Sequence, residues 1–210
     1  MLKEARGLVF IFCCISLVFF TLSFFLNKIF NVFSAIFAVV TLLLIYFFRD
    51  PLRDIKINKN VLYSPADGRI FDITENENFY CVRIFMSIFD VHVQRAPVSG
   101  VIKRIEYKKG KFSLAHKTEA GFINERNLIE IYIPEVNVTV KITQVAGAIA
   151  RRIVCWVKED FAVRQGQKIG AILLGSQVSF EFPKIYKLLV TKNQKVFAGI
   201  SAVAVLSKPE

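Results

Sequence analysis

Two apolar runs at the start of the chain constrain it most. Leu8 to Leu26 holds 19 residues without a charge, Asn27-Lys28-Ile29 interrupts it, and Phe30 to Phe48 is nearly all apolar for another 19. As a helix, each run is about 28 Å long, just enough for a hydrocarbon core of ~30 Å. Three intervening residues leave room only for a tight turn, so a helical membrane hairpin is expected, with helices over about 8–26 and 30–48. A secretory signal peptide is disfavoured, because a second run follows the first at once. Lys3 and Arg6 precede the pair, Arg49, Arg53 and Lys56 follow it, and the turn carries only Lys28. The positive-inside rule then puts both ends, and all that follows, on the cytoplasmic side of the cell (inner) membrane. A re-entrant hairpin dipping into one leaflet stays open, because the spans are short.

The rest of the chain is basic. The 210 residues carry a net charge of +11, and the first fifty hold four basic and two acidic side chains, leaving 24 and 15 for the remainder. A basic domain tied to an apolar segment points to an anionic membrane surface as partner rather than to nucleic acid. Cys13, Cys14, Cys81 and Cys155 form no CxxC pair, which fits a reducing compartment and gives neither a disulfide framework nor a zinc site.

Two domains are expected, a hairpin with basic flanks over 1–56 and a β-rich domain over 57–210. In the second, short runs of Val, Ile, Phe and Tyr alternate with Gly, Pro, Asn and Asp, as in 69–73, 79–86, 128–133 and 138–143. That is strand patterning, and no convincing helical stripe follows residue 60. A weak internal echo runs through Gly68-Arg-Ile70, Gly100-Val-Ile102 and Gly147-Ala-Ile149, each a turn glycine before a short apolar strand. The third continues into a Val163-Arg-Gln-Gly166 turn similar to the hairpins of biotinyl- and lipoyl-carrier domains. The fold expected is therefore mainly β, a biotinyl/lipoyl-like barrel-sandwich, with duplication as one reading of the echo.

Within this pattern, Ala171 to Phe180 reads as a buried strand broken by Gly175-Ser176. A bulge in the strand is one explanation. A nucleophilic Ser176 aimed at the preceding Gly175 carbonyl is the other. Further polar groups accompany it. Asp67 sits in Ser64-Pro-Ala-Asp-Gly68, a tight-turn sequence that could hold its carboxylate rigidly. Asp90, His92 and Gln94 alternate with Phe89, Val91 and Val93, so as a strand they would share one face, and the aspartate could orient the ring. Asn124 and Arg126, with Arg151 and Arg152 later, offer donors for a carboxylate or phosphate. His116 lies in what reads as a solvated loop and is given no role.

Taken together, Ser64–Gly68, Phe85-Met-Ser with Asp90-Val-His92-Val and Arg95-Ala-Pro-Val-Ser-Gly100, Asn124–Asn127, Gln144-Val-Ala-Gly, Ala150–Trp156 and Leu174-Gly-Ser176 resemble, in order, the short (archaeal-type) form of the phosphatidylserine decarboxylases. The resemblance implies a proenzyme that cuts itself between Gly175 and Ser176. The serine hydroxyl would attack the Gly175 carbonyl to give an ester, and β-elimination would release a β chain, 1–175. The α chain, 176–210, would then begin with a pyruvoyl group made from Ser176. That carbonyl would form a Schiff base with phosphatidylserine and accept the electrons left by CO2, giving phosphatidylethanolamine without metal or pyridoxal phosphate. The implied partners are the membrane phospholipid and the chain's own α and β fragments.

By the same resemblance Ser176, His92 and Asp67 are catalytic, with Asp67 the aspartate of an Asp-His-Ser relay. Asn124, Arg126 and Arg151 are candidates for substrate binding. His92 matches the first of two histidines in long family members, and Arg95 stands where the second would be, so either His92 serves both processing and decarboxylation, which is the reading taken, or another group activates Ser176. An archaetidylserine decarboxylase shares these motifs. A non-catalytic membrane-anchored biotinyl-like module would show no chain break and no reactive carbonyl, and a membrane-anchored serine hydrolase would need GxSxG where Gly-Ser-Gln-Val stands.

Overall fold

The structure is a computed structural model and describes residues 1–110, 123–147, 152–173 and 176–207. It divides into two units, Met1–Leu52 and Arg53–Glu210. Arg53 and Lys56 fall within the second unit.

The first unit is a pair of helices, α1 (Arg6–Phe25) and α2 (Phe30–Phe47). Both are long and apolar enough to cross a membrane. The turn between them is set by Asn27, whose side-chain oxygen accepts the Ile29 N–H at 2.9 Å. The helices meet through a ladder of rings, with Phe19 stacked on Phe30, Phe33 and Phe37. Ser16 and Ser34 each donate a hydroxyl proton to the other's carbonyl, at 2.9 and 3.0 Å. Such paired polar bonds between small residues hold helices together where the surroundings are as apolar as the side chains.

The second unit is mainly β. In chain order its strands are β1 (Val61–Tyr63), β2 (Gly68–Glu75), β3 (Phe79–Met86), β4 (Val93–Arg95), β5 (Gly100–Lys108), β6 (Arg126–Ile133) and β7 (Val138–Ala146). There follow β8 (Arg152–Cys155), β9 (Ala162–Val163), β10 (Lys168–Leu173), β11 (Ser176–Pro183), β12 (Tyr186–Leu188), β13 (Lys195–Val196) and β14 (Ala202–Leu206). A curled antiparallel sheet runs β13-β2-β3-β11-β7-β6-β5-β9, and two three-stranded sheets run β1-β14-β12 and β4-β10-β8. The large sheet buries one face. Val82, Ile84 and Met86, then Val178, Phe180 and Phe182, then Val140 and Ile142 alternate inward with period two. Each such side chain contributes ~1.5–3 kcal/mol on leaving water.

The apolar run from Ala171 to Phe180 is two strands in two sheets rather than one bulged strand. β10 lies at the centre of a small sheet and β11 at the heart of the large one. Only residues 174 and 175, outside the described residues, join them.

The internal echo has a local structural counterpart. Gly68 opens β2 and Gly100 opens β5, and each strand shifts register just after the isoleucine two residues on, Ile70 or Ile102. A Cβ on Gly68 would lie 2.2 Å from the Phe85 carbonyl oxygen, and one on Gly100 would lie 2.3 Å from that of Tyr132. The third echo segment, 147–153, lies partly outside the described residues.

The entry of the chain into this unit is fixed by a buried ion pair. Arg53 donates from both terminal nitrogens to the Asp67 carboxylate at 2.7 Å and also to the Ala198 carbonyl oxygen at 2.7 Å. The Ala198 N–H donates to Asp67 at 2.8 Å. Ile55 packs on Gly166 and Gly199, and the Asn58 N–H donates to Gln165 at 2.7 Å.

Two stability outcomes follow. Asp67→Asn leaves Arg53 buried without its counter-charge, and should lower unfolding stability by about 3–5 kcal/mol. The paired change Arg53→Met with Asp67→Leu should cost clearly less than the two single changes together. Denaturant midpoints of the full chain in detergent report both. Gly68→Ala, with φ at +149° and the Phe85 carbonyl in the way, should cost about 3 kcal/mol in the same assay.

Candidate active site

Ser176 is the first residue of β11 and pairs with Met86 of β3 on one side and Ala146 of β7 on the other. The alternation that turns Val178 and Phe180 inward turns Ser176 inward too, and it is fully buried. Its hydroxyl donates to the Met86 sulfur at 3.5 Å. A thioether is a weak acceptor, so the hydroxyl is out of water yet only loosely held.

At this end of the large sheet the inward rows become polar. Gln144 and Asn127 face each other across β7 and β6, and the Asn127 amide donates to Gln144 Oε1 at 2.9 Å. Gln144 Nε2 donates to Gln94 Oε1 at 2.8 Å, which joins the large sheet to β4 of a small one. Gln94 Nε2 donates to the His92 carbonyl oxygen at 3.0 Å and approaches the Met86 sulfur at 3.6 Å. Gly170 of β10 leaves the space that Gln144 fills, since a Cβ there would come within 2.7 Å of Gln144 Nε2. This chain of buried amides ends on the sulfur that also takes the Ser176 hydroxyl. Each link satisfies a group whose burial alone would cost about 1–3 kcal/mol.

His92 enters from the turn before β4 and is buried. Its Nδ1 lies 2.9 Å from the Asp90 carbonyl oxygen. A carbonyl only accepts, so Nδ1 carries a proton, and in the neutral tautomer this leaves the lone pair on Nε2. The main chain of Asp90 orients the ring here, where the sequence suggested its carboxylate. That carboxylate instead accepts the Ser87 N–H at 2.9 Å and the Ser87 hydroxyl at 2.6 Å, and pairs with Lys195 at 3.3 Å. Burial acts to raise its pKa, but these bonds to Ser87 and the Lys195 charge outweigh that and hold it below the ordinary carboxylate value.

The structure brings Ser176 and Gln94 to the Met86 sulfur and joins Gln94 to the His92 carbonyl oxygen, and Asp67 bonds to none of these. Both oxygens of Asp67 are taken by Arg53 and the Ala198 N–H. Among the described residues, no carboxylate or imidazole bonds to the Ser176 hydroxyl. Arg95 is buried and turned away, donating to the Gly166 carbonyl oxygen at 2.9 Å, while its own N–H holds the Pro65 carbonyl.

Of the donors proposed for substrate, Asn124 is buried and donates to the carbonyl of Ala146, the β7 partner of Ser176, at 2.7 Å. Arg126 is half-buried, and Arg151, Gly175 and His116 lie outside the described residues. Arg152 is exposed at the start of β8.

Sequence reading passed over Met86, Asn127, Gln144 and Arg53 as site residues. The first three stood inside the quoted motifs, and for Asn127 and Gln144 a polar residue on an inward strand position was the available signal. Nothing linked Arg53 to Asp67, because the pairing is tertiary.

Comparison with known proteins bears on the same residues. The sequence profile described as phosphatidylserine decarboxylase matches residues 40–204. A phosphatidylserine decarboxylase proenzyme of Carboxydothermus hydrogenoformans is 43% identical over 170 residues, covering 77% of this chain and 79% of that protein. One from Ehrlichia chaffeensis is 40% identical over 175 residues, covering 80% and 77%. A Methanosarcina barkeri proenzyme whose name carries archaetidylserine in place of phosphatidylserine is 39% identical over 169 residues, covering 80% of each. With a profile spanning most of the chain and relatives at this identity, the chain belongs to the phosphatidylserine decarboxylase family.

Proposed function

We propose that this protein decarboxylates phosphatidylserine to phosphatidylethanolamine and CO2, using a pyruvoyl group made from its own Ser176. The observation that carries the reading is the position of Ser176. It is a buried serine on an inward strand position, beside a chain of buried amides, three residues after the last residue of a strand in another sheet.

The surroundings fit both the cut and its product. Attack by the hydroxyl on the Gly175 carbonyl moves the acyl group from nitrogen to oxygen. Elimination then frees the Gly175 carboxylate, and water replaces the nitrogen of residue 176 as ammonia, leaving a ketone. Losing the hydroxyl forfeits only a weak bond to Met86, and the small Ala146 alongside adds no bulk. When formed, the carbonyl takes up the substrate amine and draws off the electrons that CO2 leaves behind.

The remaining work falls to this chain's own side chains. The Gln94–Gln144–Asn127 amides, bonded to one another, hold the buried wall beside Ser176. Burial of the pocket keeps water from that carboxylate, which favours loss of its charge as CO2. His92, its Nδ1 fixed by Asp90, presents Nε2 as the group that takes and returns a proton. Asn124 and Arg126 are the donors proposed for the head group. Asp67 acts at one remove, by tying Arg53 to Ala198.

The same clamp and the place of β11 between β3 and β7 would keep fragment 176–210 attached to 1–175 after the cut. The alike-built β2–β3 and β5–β6 hairpins support reading the β unit as a duplicated biotinyl-like barrel. The basic flanks of the helical pair favour a cytoplasmic catalytic domain. The Methanosarcina relative favours one alternative lipid, an archaetidylserine with the same head group.

Intact mass of purified active protein should show two fragments, 1–175 and 176–210, the smaller blocked at its N-terminus. A single uncut chain of 23.9 kDa in active material would overturn the mechanism. Ser176→Ala should abolish both cleavage and CO2 release. His92→Ala should lower CO2 release by about a hundredfold or more, and normal cleavage in that variant would assign processing to another base. Parallel assays on ester- and ether-linked serine lipids decide between the two substrates.

A further inference from the structure

The turn that delivers His92 has an unusual tip. The Asp90 N–H donates to the Ser87 carbonyl at 3.0 Å, which closes a four-residue turn with Ile88 and Phe89 at its two central positions. Those positions project furthest and are ordinarily polar, Gly or Pro. Here they carry two large apolar side chains, 48% and 65% exposed. The turn is braced from inside by the Asp90 carboxylate on Ser87, so the tip is held out rather than folded back.

A second apolar turn stands beside it. The Ile200 N–H donates to the Phe197 carbonyl at 3.1 Å, and Phe197 and Ile200 are 44% and 49% exposed. Lys195 joins the two turns, paired with Asp90 at 3.3 Å and lying 5.9 Å from the Phe197 ring centre. Arg69, the strand partner of Lys195, and Lys192 are exposed on the same β2–β13 edge. The face is apolar at its tips and basic at its rim. It also includes the point of entry of the chain, since Arg53 is bonded to Ala198 within the second turn. The segment preceding Arg53 in sequence is the apolar helical pair.

We propose that the Ser87–Asp90 and Phe197–Ile200 turns form a docking face for the surface of an anionic phospholipid bilayer, with Ile88 and Phe89 entering the boundary between head groups and acyl chains. Apolar side chains that bury at that depth, ringed by Lys and Arg, match the chemistry of such a surface. Docking there sets the His92 turn against the layer that holds the substrate. The inference rests on the reading of the chain as an enzyme of lipid head groups, and deepens it by naming how a bilayer-borne substrate is met.

The test uses the full chain reconstituted in vesicles. Phe89→Trp in a Trp156→Phe background gives a single tryptophan, and vesicles with brominated acyl chains should quench it strongly. Fluorescence unaffected by the bromines would overturn the proposal, whether the face is bare or covered by another protein. The second measurement is turnover by the double variant Ile88→Ser, Phe89→Ser. Its kcat/KM on phosphatidylserine in vesicles should fall about tenfold, with no change on a short-chain phosphatidylserine dissolved as monomers. Equal loss on both substrates would mean the turn merely shapes the pocket, and no loss on either would mean it never meets the bilayer. Either result sinks the inference. Absence of CO2 release by the wild type from any serine lipid would instead sink the decarboxylase reading itself.

Discussion

The structure depends on the switch of the chain from β10 to β11. At Leu173 it is in a small sheet, paired with Arg152, and at Ser176 it is already between Met86 and Ala146 in the large sheet. Residues 173 and 176 can be no more than ~11 Å apart along the chain, so the ends of the two sheets must stand that close. β4 and β10 bring His92 and Gln94 to the junction from one side, and β7 and β6 bring Gln144 and Asn127 from the other. The buried polar cluster is thus a consequence of where two sheets share a strand connection. Its amide chain is the seam that satisfies them both.

The second organising element is the Arg53–Asp67 pair. A buried ion pair gives little net stability over an apolar substitute, but breaking it is costly. It therefore serves better as a fastener than as a source of stability. Here it fastens three stretches far apart in sequence: the entry of the chain, the turn before β2 and the Ala198 turn. Asp67 is thereby engaged at the entry of the chain. His92 is left to be oriented by a backbone carbonyl, which needs no charge.

The sequence made much of this legible, and unevenly. The helical pair was plain because uncharged runs of that length have few other uses, and the helix ends fell within two residues of the expected ones. Strand patterning gave the β class, since Val82–Ile84–Met86 and Val178–Phe180–Phe182 alternate cleanly. Ser176 and His92 stood out through motif order. What stayed hidden was tertiary. Period-two reasoning put Asp90, His92 and Gln94 on one face, but Ser87 captures Asp90 in a turn and the strand starts only at Val93. The run through Gly175-Ser176 read as one strand because periodicity cannot say that two halves join different sheets. Arg53 looked like a flank charge, because nothing local distinguishes a guanidinium in solvent from one sealed against a carboxylate.

The partner of Ser176 brings these strands of argument together. A serine buried for structural reasons alone would be expected to donate to a carbonyl or carboxylate, as Ser64 does to the Ala66 carbonyl at 2.7 Å. Such a bond lowers the energy of the hydroxyl and raises the cost of consuming it, by about 1 kcal/mol for a neutral acceptor. Ser176 has a thioether instead, at 3.5 Å. Methionine fills the space, excludes water and offers little to hold the proton. Met86 is itself in contact with Gln94, whose amide is committed to His92 and Gln144. The Asn127, Gln144 and Gln94 amides are thus bonded to one another and to the main chain, while the Ser176 hydroxyl has only the sulfur. That pattern is wasteful for a residue meant to stay as it is, and economical for one whose oxygen is to leave.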